Sequence, residues 1–246
     1  CEVQEILVDG KEIKGVKFYD KIDKKTHETR AKFVINATGP WAASLEKQLD
    51  LPTPLRIEPT MGTLLVINKR LANSLLNRLR SPGDGDIFVP SHQSVLLGTT
   101  SIPVDVKDLD RLMATREEIE RILDLGKYLI PNVREHQVLR YYSGARPLVA
   151  SGGNTRNASR KFEVIDYEDY GYPGMFTIFG GKLTTYRLMA EETVNLIESK
   201  LSTKTKCTTS TEVLPGGDSP LTVSQIKSEL GVDEKTAFDM SFKWGS

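Results

Sequence analysis

The sequence predicts a protein of mixed α+β and α/β class, and three observations carry that reading. Two segments share one form, an apolar strand that runs into a glycine turn and then a helix. They are Val34-Ile35-Asn36-Ala37-Thr38-Gly39-Pro40-Trp41 and Thr177-Ile178-Phe179-Gly180-Gly181-Lys182-Leu183-Thr184-Thr185-Tyr186. Between them the texture changes to short strands suited to a mixed or antiparallel sheet. One amphipathic helix interrupts that run. The 246 residues, 39% of them hydrophobic and 27% charged, are ordinary for one or two globular domains with a real core.

Taken in order, Val3–Leu7 alternates and turns at Asp9-Gly10 into Ile13–Tyr19, a hairpin signal. Lys21–Glu28 reads as a polar connection, and Thr29–Asn36 as a strand ending at the Gly39-Pro40 punctuation. Pro40 suits the first turn of a helix with Trp41, Leu45 and Leu49 on one face. Leu51-Pro52-Thr53-Pro54 breaks that helix. Strands follow at Gly62–Asn68, Asp86–Pro90, Ser94–Ser101 and Gln137–Ser143. Thr115 and Glu118 form a capping box that opens a helix with Ile119, Ile122, Gly126 and Leu129 in period, ended by Pro131. Ser151–Ser159 is a polar, Gly-rich loop, and Phe162–Tyr167 and Met175–Phe179 are strands. The long helix after Lys182 places Leu183, Tyr186, Ala190, Val194, Ile197 and Leu201 on an inward stripe. Pro215-Gly216-Gly217 reads as a linker, and Leu221–Phe242 as two short helices parted at Gly231. The chain opens on Cys1 inside its first hairpin and reads as an internal piece of a longer polypeptide.

Composition also excludes classes of function. Lys+Arg and Asp+Glu each number 33, and a nucleic-acid surface needs a local surplus of cations for counterion release. No run approaches the ~20 apolar residues of a membrane-spanning helix, and the first residues lack the basic start of a signal peptide. Cys1 and Cys207 stand at opposite ends and suggest no disulfide framework. His27, His92 and His136 share no metal-ligand spacing with Cys, Asp or Glu, so no metal is expected. A G-x-S-x-G elbow, a phosphate loop and an H-E-x-x-H motif are all missing from the sequence.

Three features could carry chemistry. At a strand–glycine–helix turn the missing side chain lets another molecule reach the backbone, and the helix start offers free N–H groups. The second turn adds the Lys182 ammonium and two hydroxyls, a setting that favours a group gaining negative charge, such as a flavin under reduction. The plain alternative is a glycine connection and nothing more. The third feature is Tyr141–Leu148, where Arg146 closes an apolar strand ahead of Pro147. A guanidinium is suited to bidentate capture of a carboxylate or phosphate; the alternative is a structural ion pair. Arg156 and Arg160 could add charge for an anionic substrate or lie on a solvated loop.

Taken together these features resemble the FAD-dependent glycerol-3-phosphate dehydrogenases, within the D-amino-acid-oxidase-like flavoproteins. The resemblance is carried by ATGPWA (37–42), YSGARPLVAS (142–151) and FGGKLTTYRLMAE (179–191), in family order. MGTLLVINKR (61–70), DGDIFVPS (84–91) and LLGTTS (96–101) add to it. The tail around Cys207-Thr208-Thr209 and Leu214-Pro215-Gly216 is similar to the large catalytic subunit of the anaerobic, quinone-linked branch.

The resemblance implies part of an FAD-binding domain with an inserted antiparallel-sheet substrate domain. The boundaries would be 1–56 for the first FAD-domain segment, 57–160 for the substrate domain, 161–205 for the return, and 206–246 for a linker and a further domain. It implies Ala37, Thr38, Gly39, Gly180, Gly181, Lys182, Thr184 and Thr185 beside FAD, and Arg146, Lys182 and Arg160 at the substrate. The reaction would be oxidation of sn-glycerol 3-phosphate to dihydroxyacetone phosphate, with electrons passed to quinone through partner subunits. The base that takes the hydroxyl proton is left open between His92 and a residue outside this chain. The whole enzyme would be cytoplasmic, peripheral on the inner face of the cell membrane.

No G-x-G-x-x-G unit occurs here, so this chain alone is expected to bind FAD weakly or not at all. It is also expected to self-associate through apolar surface bared on the Val34–Ala37 and Phe176–Phe179 strands. Two alternatives stand beside this reading: an FAD-dependent amino-acid or amine oxidoreductase, in which Arg146 holds a carboxylate, and a non-catalytic interaction module.

Overall fold

A computed structural model describes residues 1–48, 57–80, 83–149 and 161–244. Leu49, Leu51–Pro54, the Ser151–Ser159 loop, Arg156 and Arg160 lie outside the described residues. The chain divides into two compact units, Cys1–Thr185 and Tyr186–Ser246.

In the first unit β1 (Glu2–Asp9), β2 (Glu12–Asp20) and β3 (Lys25–Arg30) form an antiparallel meander. Gly10 takes the left-handed conformation its turn requires, with φ 63°. The polar stretch from Lys21 is shorter than the sequence suggests, because Lys25–Glu28 already pairs with β2. The strand expected over Thr29–Asn36 is two strands: β3 stays in the meander, while β4 (Val34–Asn36) joins another sheet. Alternation within one run cannot reveal that its halves find different partners.

The 3₁₀ turn Gly39–Trp41 and helix α1 (Ala42–Gln48) follow β4. Next come β5 (Ile57–Ile67), β6 (Leu76–Asn77), β7 (Ile87–Ser91), β8 (Ser94–Gly98) and β9 (Ile102–Pro103). Helix α2 (Arg116–Gly126) precedes β10 (Val138–Val149). β5 to β10 make a six-stranded antiparallel sheet in the order β10-β5-β8-β7-β6, with β9 also on β5. Its core gathers Leu65, Ile67, Phe88, Val95 and Leu97 under Ile122 and Leu123 of α2. Alternate residues Met61, Thr63, Leu65 and Ile67 of β5 are all buried, the period of a strand.

β11 (Phe162–Asp166) and β12 (Met175–Gly180) return to β4 in a sheet of order β11-β12-β4, with β12 and β4 parallel. Met175, Phe176 and Phe179 are buried, so the apolar surface expected on the Phe176–Phe179 strand is covered by its neighbours. Ile35 of β4 is 43% exposed. A second core joins Ile6 and Ile13 of the meander to Met175 and Tyr167. Burial, and then the Glu46 carboxylate nearby, push the Tyr167 phenol up and keep it protonated.

The second unit opens with helix α3 (Tyr186–Lys200) and ends with α4 (Val223–Leu230) and α5 (Glu234–Trp244). The α4–α5 pair matches the two helices expected around Gly231, which caps α4 with φ 63°. Thr222 and Gln225 close a reciprocal capping box at its start. The inward stripe expected on α3 is corrected: Tyr186, Val194 and Leu201 are exposed, and Thr193 is the buried residue. A 3.6-residue period shows which residues share a face, and only the surrounding structure decides whether that face is covered.

Candidate active site

Asn36 builds the first glycine turn. It is 2% exposed, and its amide donates to the Ala42 carbonyl at 3.0 Å. Its Oδ1 accepts from the Thr38 hydroxyl at 2.7 Å and the Thr38 N–H at 3.3 Å. One buried side chain thus ties β4 to the start of α1. Gly39 has φ 60°, and a Cβ placed there would meet no atom of the described residues within 4 Å. Its backbone is open to another molecule. Ala37 and Thr38 beside it are not buried.

The second turn, also in the first unit, bends at Gly180 and Gly181, with φ 76° and 74°. A Cβ at Gly180 would stand 2.5 Å from the Lys161 carbonyl oxygen, so only glycine lets β12 leave its neighbour here. The Thr185 hydroxyl accepts from the Lys182 N–H and donates to the Lys182 carbonyl, both at 2.9 Å. That hydroxyl is engaged in the turn, while the Lys182 and Thr184 side chains are exposed.

Arg146 lies within β10, opposite Thr60 of β5, where the sequence suggests the end of a strand. Pro147 is tolerated because it pairs with another proline, Pro59. Thr60, Gly62, Gly144 and Arg146 share one face, since residues opposite and two apart point the same way. The guanidinium crosses β5 over Gly62, and a Cβ on Gly62 would lie 2.1 Å from its Nη2. It then donates from Nη1 to the Thr100 carbonyl at 3.2 Å and from Nη2 to the Thr99 hydroxyl at 3.0 Å. Gly144 on the same face has open space above it. The result is a side-chain-poor floor edged by a fixed cation. β10 runs beside both the Gly39–Trp41 turn and β12, so the strand bearing Arg146 neighbours the elements of both glycine turns.

Other candidates stand elsewhere. His92 sits exposed in the turn between β7 and β8 with φ 52°, and its carbonyl accepts from Arg70 at 2.9 Å. Thr99 follows the far end of five-residue β8, roughly 16 Å away along the strand. His92 is therefore not beside Arg146, where the expected base would have to stand. Sequence reasoning missed Asn36, Gly62, Thr99 and Thr100. Each looks like an ordinary strand or turn residue until the strands are paired. Among the described residues no group of three or more His, Cys, Asp or Glu could hold a metal.

The open turn at Gly39, the second glycine turn at Gly180-Gly181 and the strand bearing the fixed Arg146 guanidinium all lie in the first unit. Residues 1–196 match the family model described as FAD dependent oxidoreductase, and the chain belongs to that family. Within it, the chain is 38% identical over 219 residues to a subunit of the anaerobic glycerol-3-phosphate dehydrogenase of Haemophilus influenzae, covering 88% of this chain and 38% of that protein. The Escherichia coli counterpart is also 38% identical, over 92% of this chain and 42% of its own length. The chain thus spans about two fifths of the curated relatives it matches. The crystal structure of the Bacillus halodurans glycerol-3-phosphate dehydrogenase complexed with FAD superposes with a TM-score of 0.79 at 26% identity, over 98% of this chain and 48% of that one. A Bacillus cereus glycine oxidase, 17% identical over 81% of this chain and 50% of that one, shares the fold with a TM-score of 0.57.

Proposed function

We propose that this chain is part of a flavoenzyme that oxidises sn-glycerol 3-phosphate to dihydroxyacetone phosphate. The observation that carries the reading is the Arg146 guanidinium, laid across Gly62 and fixed by Thr99 and Thr100. A side chain held by Thr99 and Thr100 presents its charge without loss of rotamer freedom on binding. The names of the 38%-identical relatives support glycerol 3-phosphate as the anion.

The residues present fit a flavin. The open backbone at Gly39, the left-handed Gly180-Gly181 turn and the exposed Thr184 and Lys182 side chains lie in one unit and offer close approach and polar donors. FAD, when bound, supplies the two-electron acceptor. Gly39 and its neighbours Ala37 and Thr38 would border it, and Gly180, Gly181, Lys182, Thr184 and Thr185 would line the flavin's pyrimidine edge. The Lys182 ammonium there favours negative charge. Arg146 binds the substrate's phosphate. Arg160 is retained as the second cation for the phosphate. The hydroxyl proton leaves to a base other than His92. Electrons pass on through partner subunits, a reading supported by the naming of the relatives as one subunit of their enzyme, with quinone as the acceptor the resemblance implies. Among the described residues no helix is long and apolar enough to cross a membrane, and the inner-face location is part of the same proposal.

The test is bleaching of the flavin absorbance in the whole FAD-loaded flavoenzyme that contains this chain. Glycerol 3-phosphate should bleach it, whereas glycerol, glycine and proline should not. Arg146→Met should raise the substrate concentration needed by about a hundredfold, the loss of a charge-assisted pair. Bleaching by an amino acid, or an unchanged response in R146M, would refute the assignment.

A further inference from the structure

Glu118 stands at the third position of α2, where a capping glutamate turns its carboxylate back to the N–H of the cap residue. The backbone half of that motif is present, since the Glu118 N–H donates to the Thr115 hydroxyl at 3.1 Å. The side-chain half is not. The Glu118 carboxylate turns into the protein, where the residue is 4% exposed, and its Oε1 accepts from the Thr100 hydroxyl. Its Oε2 is buried with no hydrogen-bond partner among the described residues. A buried carboxylate oxygen left in that condition costs stability, and an exposed cap would have avoided the cost. The diverted carboxylate calls for another explanation.

Thr100 provides it. Its hydroxyl has one proton, given to Glu118, so a lone pair is left for the Thr63 N–H, which donates to it at 3.0 Å. The two contacts come from different elements, α2 and β5, and hold a residue that is 1% exposed. The Thr100 carbonyl, fixed in this way, accepts from Arg146 Nη1 and also from the Thr99 hydroxyl at 3.1 Å. Thr99 in turn accepts from Arg146 Nη2. These two acceptors of the guanidinium therefore belong to the pair of residues whose placement Glu118 stabilises.

We propose that Glu118 is a positioning residue for the anion site, which fixes Thr100, and through Thr100 the orientation in which Arg146 meets the substrate. The inference rests on the reading of Arg146 as the substrate's anion clamp. Glu118 touches neither substrate nor cofactor. Its carboxylate acts one residue behind the guanidinium, and its loss should weaken substrate binding while leaving the chemical step intact.

Steady-state kinetics of the whole FAD-loaded flavoenzyme that contains this chain, with glycerol 3-phosphate and a soluble dye acceptor, test it. Glu118→Ala should raise KM by about ten- to a hundredfold, the scale of a lost hydrogen bond to a charged group, with kcat within about twofold, the pattern of lost uniform binding. Glu118→Gln keeps an acceptor for the Thr100 hydroxyl and should return KM to within about threefold of the parent. Thr100→Val removes only the hydroxyl and should reproduce the E118A value. The E118A/T100V double variant should be no worse than either single one, because the two residues act in series. If E118A fails to fold, the T100V and E118Q values decide. Unchanged KM in T100V, equal loss in E118Q and E118A, effects that multiply in the double variant, or a fall in kcat with KM constant would each overturn the proposal. R146M is the reference: if it leaves KM unchanged, the clamp reading fails and this inference fails with it. A raised KM in R146M beside an unchanged one in T100V overturns the role of Glu118 alone.

Discussion

Gly62→Ala separates the packing of the six-stranded sheet from the placement of its cation. The new Cβ would lie 2.1 Å from Arg146 Nη2, 2.4 Å from Nη1 and 2.5 Å from Cζ. Ordinary contact begins near roughly 3.5 Å, so the guanidinium must withdraw by more than about 1 Å. The obstructing atoms are the tip of a flexible side chain, and Gly62 is not in the left-handed region. Alanine in place of a strand glycine gains roughly 0.5–1 kcal/mol from reduced chain entropy. Against this stand the hydrogen bonds of a half-buried cation to Thr99 and Thr100, which water partly replaces. We expect a net stability change within about 1 kcal/mol, a Tm shift of about 2–4 °C. The same displacement should lower kcat/KM for glycerol 3-phosphate by about a hundredfold. Thermal melts and steady-state kinetics on one preparation of the whole FAD-loaded flavoenzyme read both numbers. A Tm loss above about 10 °C with unchanged kinetics would show that Gly62 serves packing and that Arg146 is not a clamp.

Asn36→Ala should destabilise the first unit by about 2–4 kcal/mol, since it leaves the Ala42 carbonyl and the Thr38 donors without their buried partner; urea denaturation measures it, and a change below about 0.5 kcal/mol would contradict the structural role. Gly180→Ala combines a φ of 76° with a Cβ 2.5 Å from a backbone oxygen and should cost about 2 kcal/mol or more, again read from the denaturation midpoint. At the start of α5, hydrogen bonds from the Thr236 hydroxyl and N–H hold the Asp233 carboxyl below its ordinary 3.8. Its contribution to the helix is therefore fully present above that value and lost as pH falls through the lower folded value. An NMR titration of the Asp233 carboxyl should show a midpoint below 3.8, and a midpoint at or above it would contradict the capping geometry.

Much of the fold was legible because local signals and tertiary needs agree. Asp9-Gly10 predicts a hairpin and makes one, and Gly231 predicts a helix stop and caps α4. The two glycine turns were visible because only glycine suits their left-handed backbone. Legibility failed where a residue's partner lies far along the chain. Thr29–Asn36 reads as one strand, yet its ends pair with β2 and β12 in different sheets. Arg146 was singled out for its chemistry, but its place inside β10 and the groove over Gly62 depend on an antiparallel register between strands distant in sequence. Glu118 reads as a helix cap, and no neighbour in sequence hints that its carboxylate belongs to Thr100.

What the sequence determined by itself is the set of conformations and chemistries on offer: which segments alternate, where glycine permits a reversal, and which side chains carry lasting charge. Those properties reside in single residues and short periods. The tertiary structure alone decided which groups meet, because a guanidinium becomes a clamp only when distant strands bring it a vacant position and two fixed acceptors. A contact of that kind is a property of register, and register is settled by the packing of whole sheets.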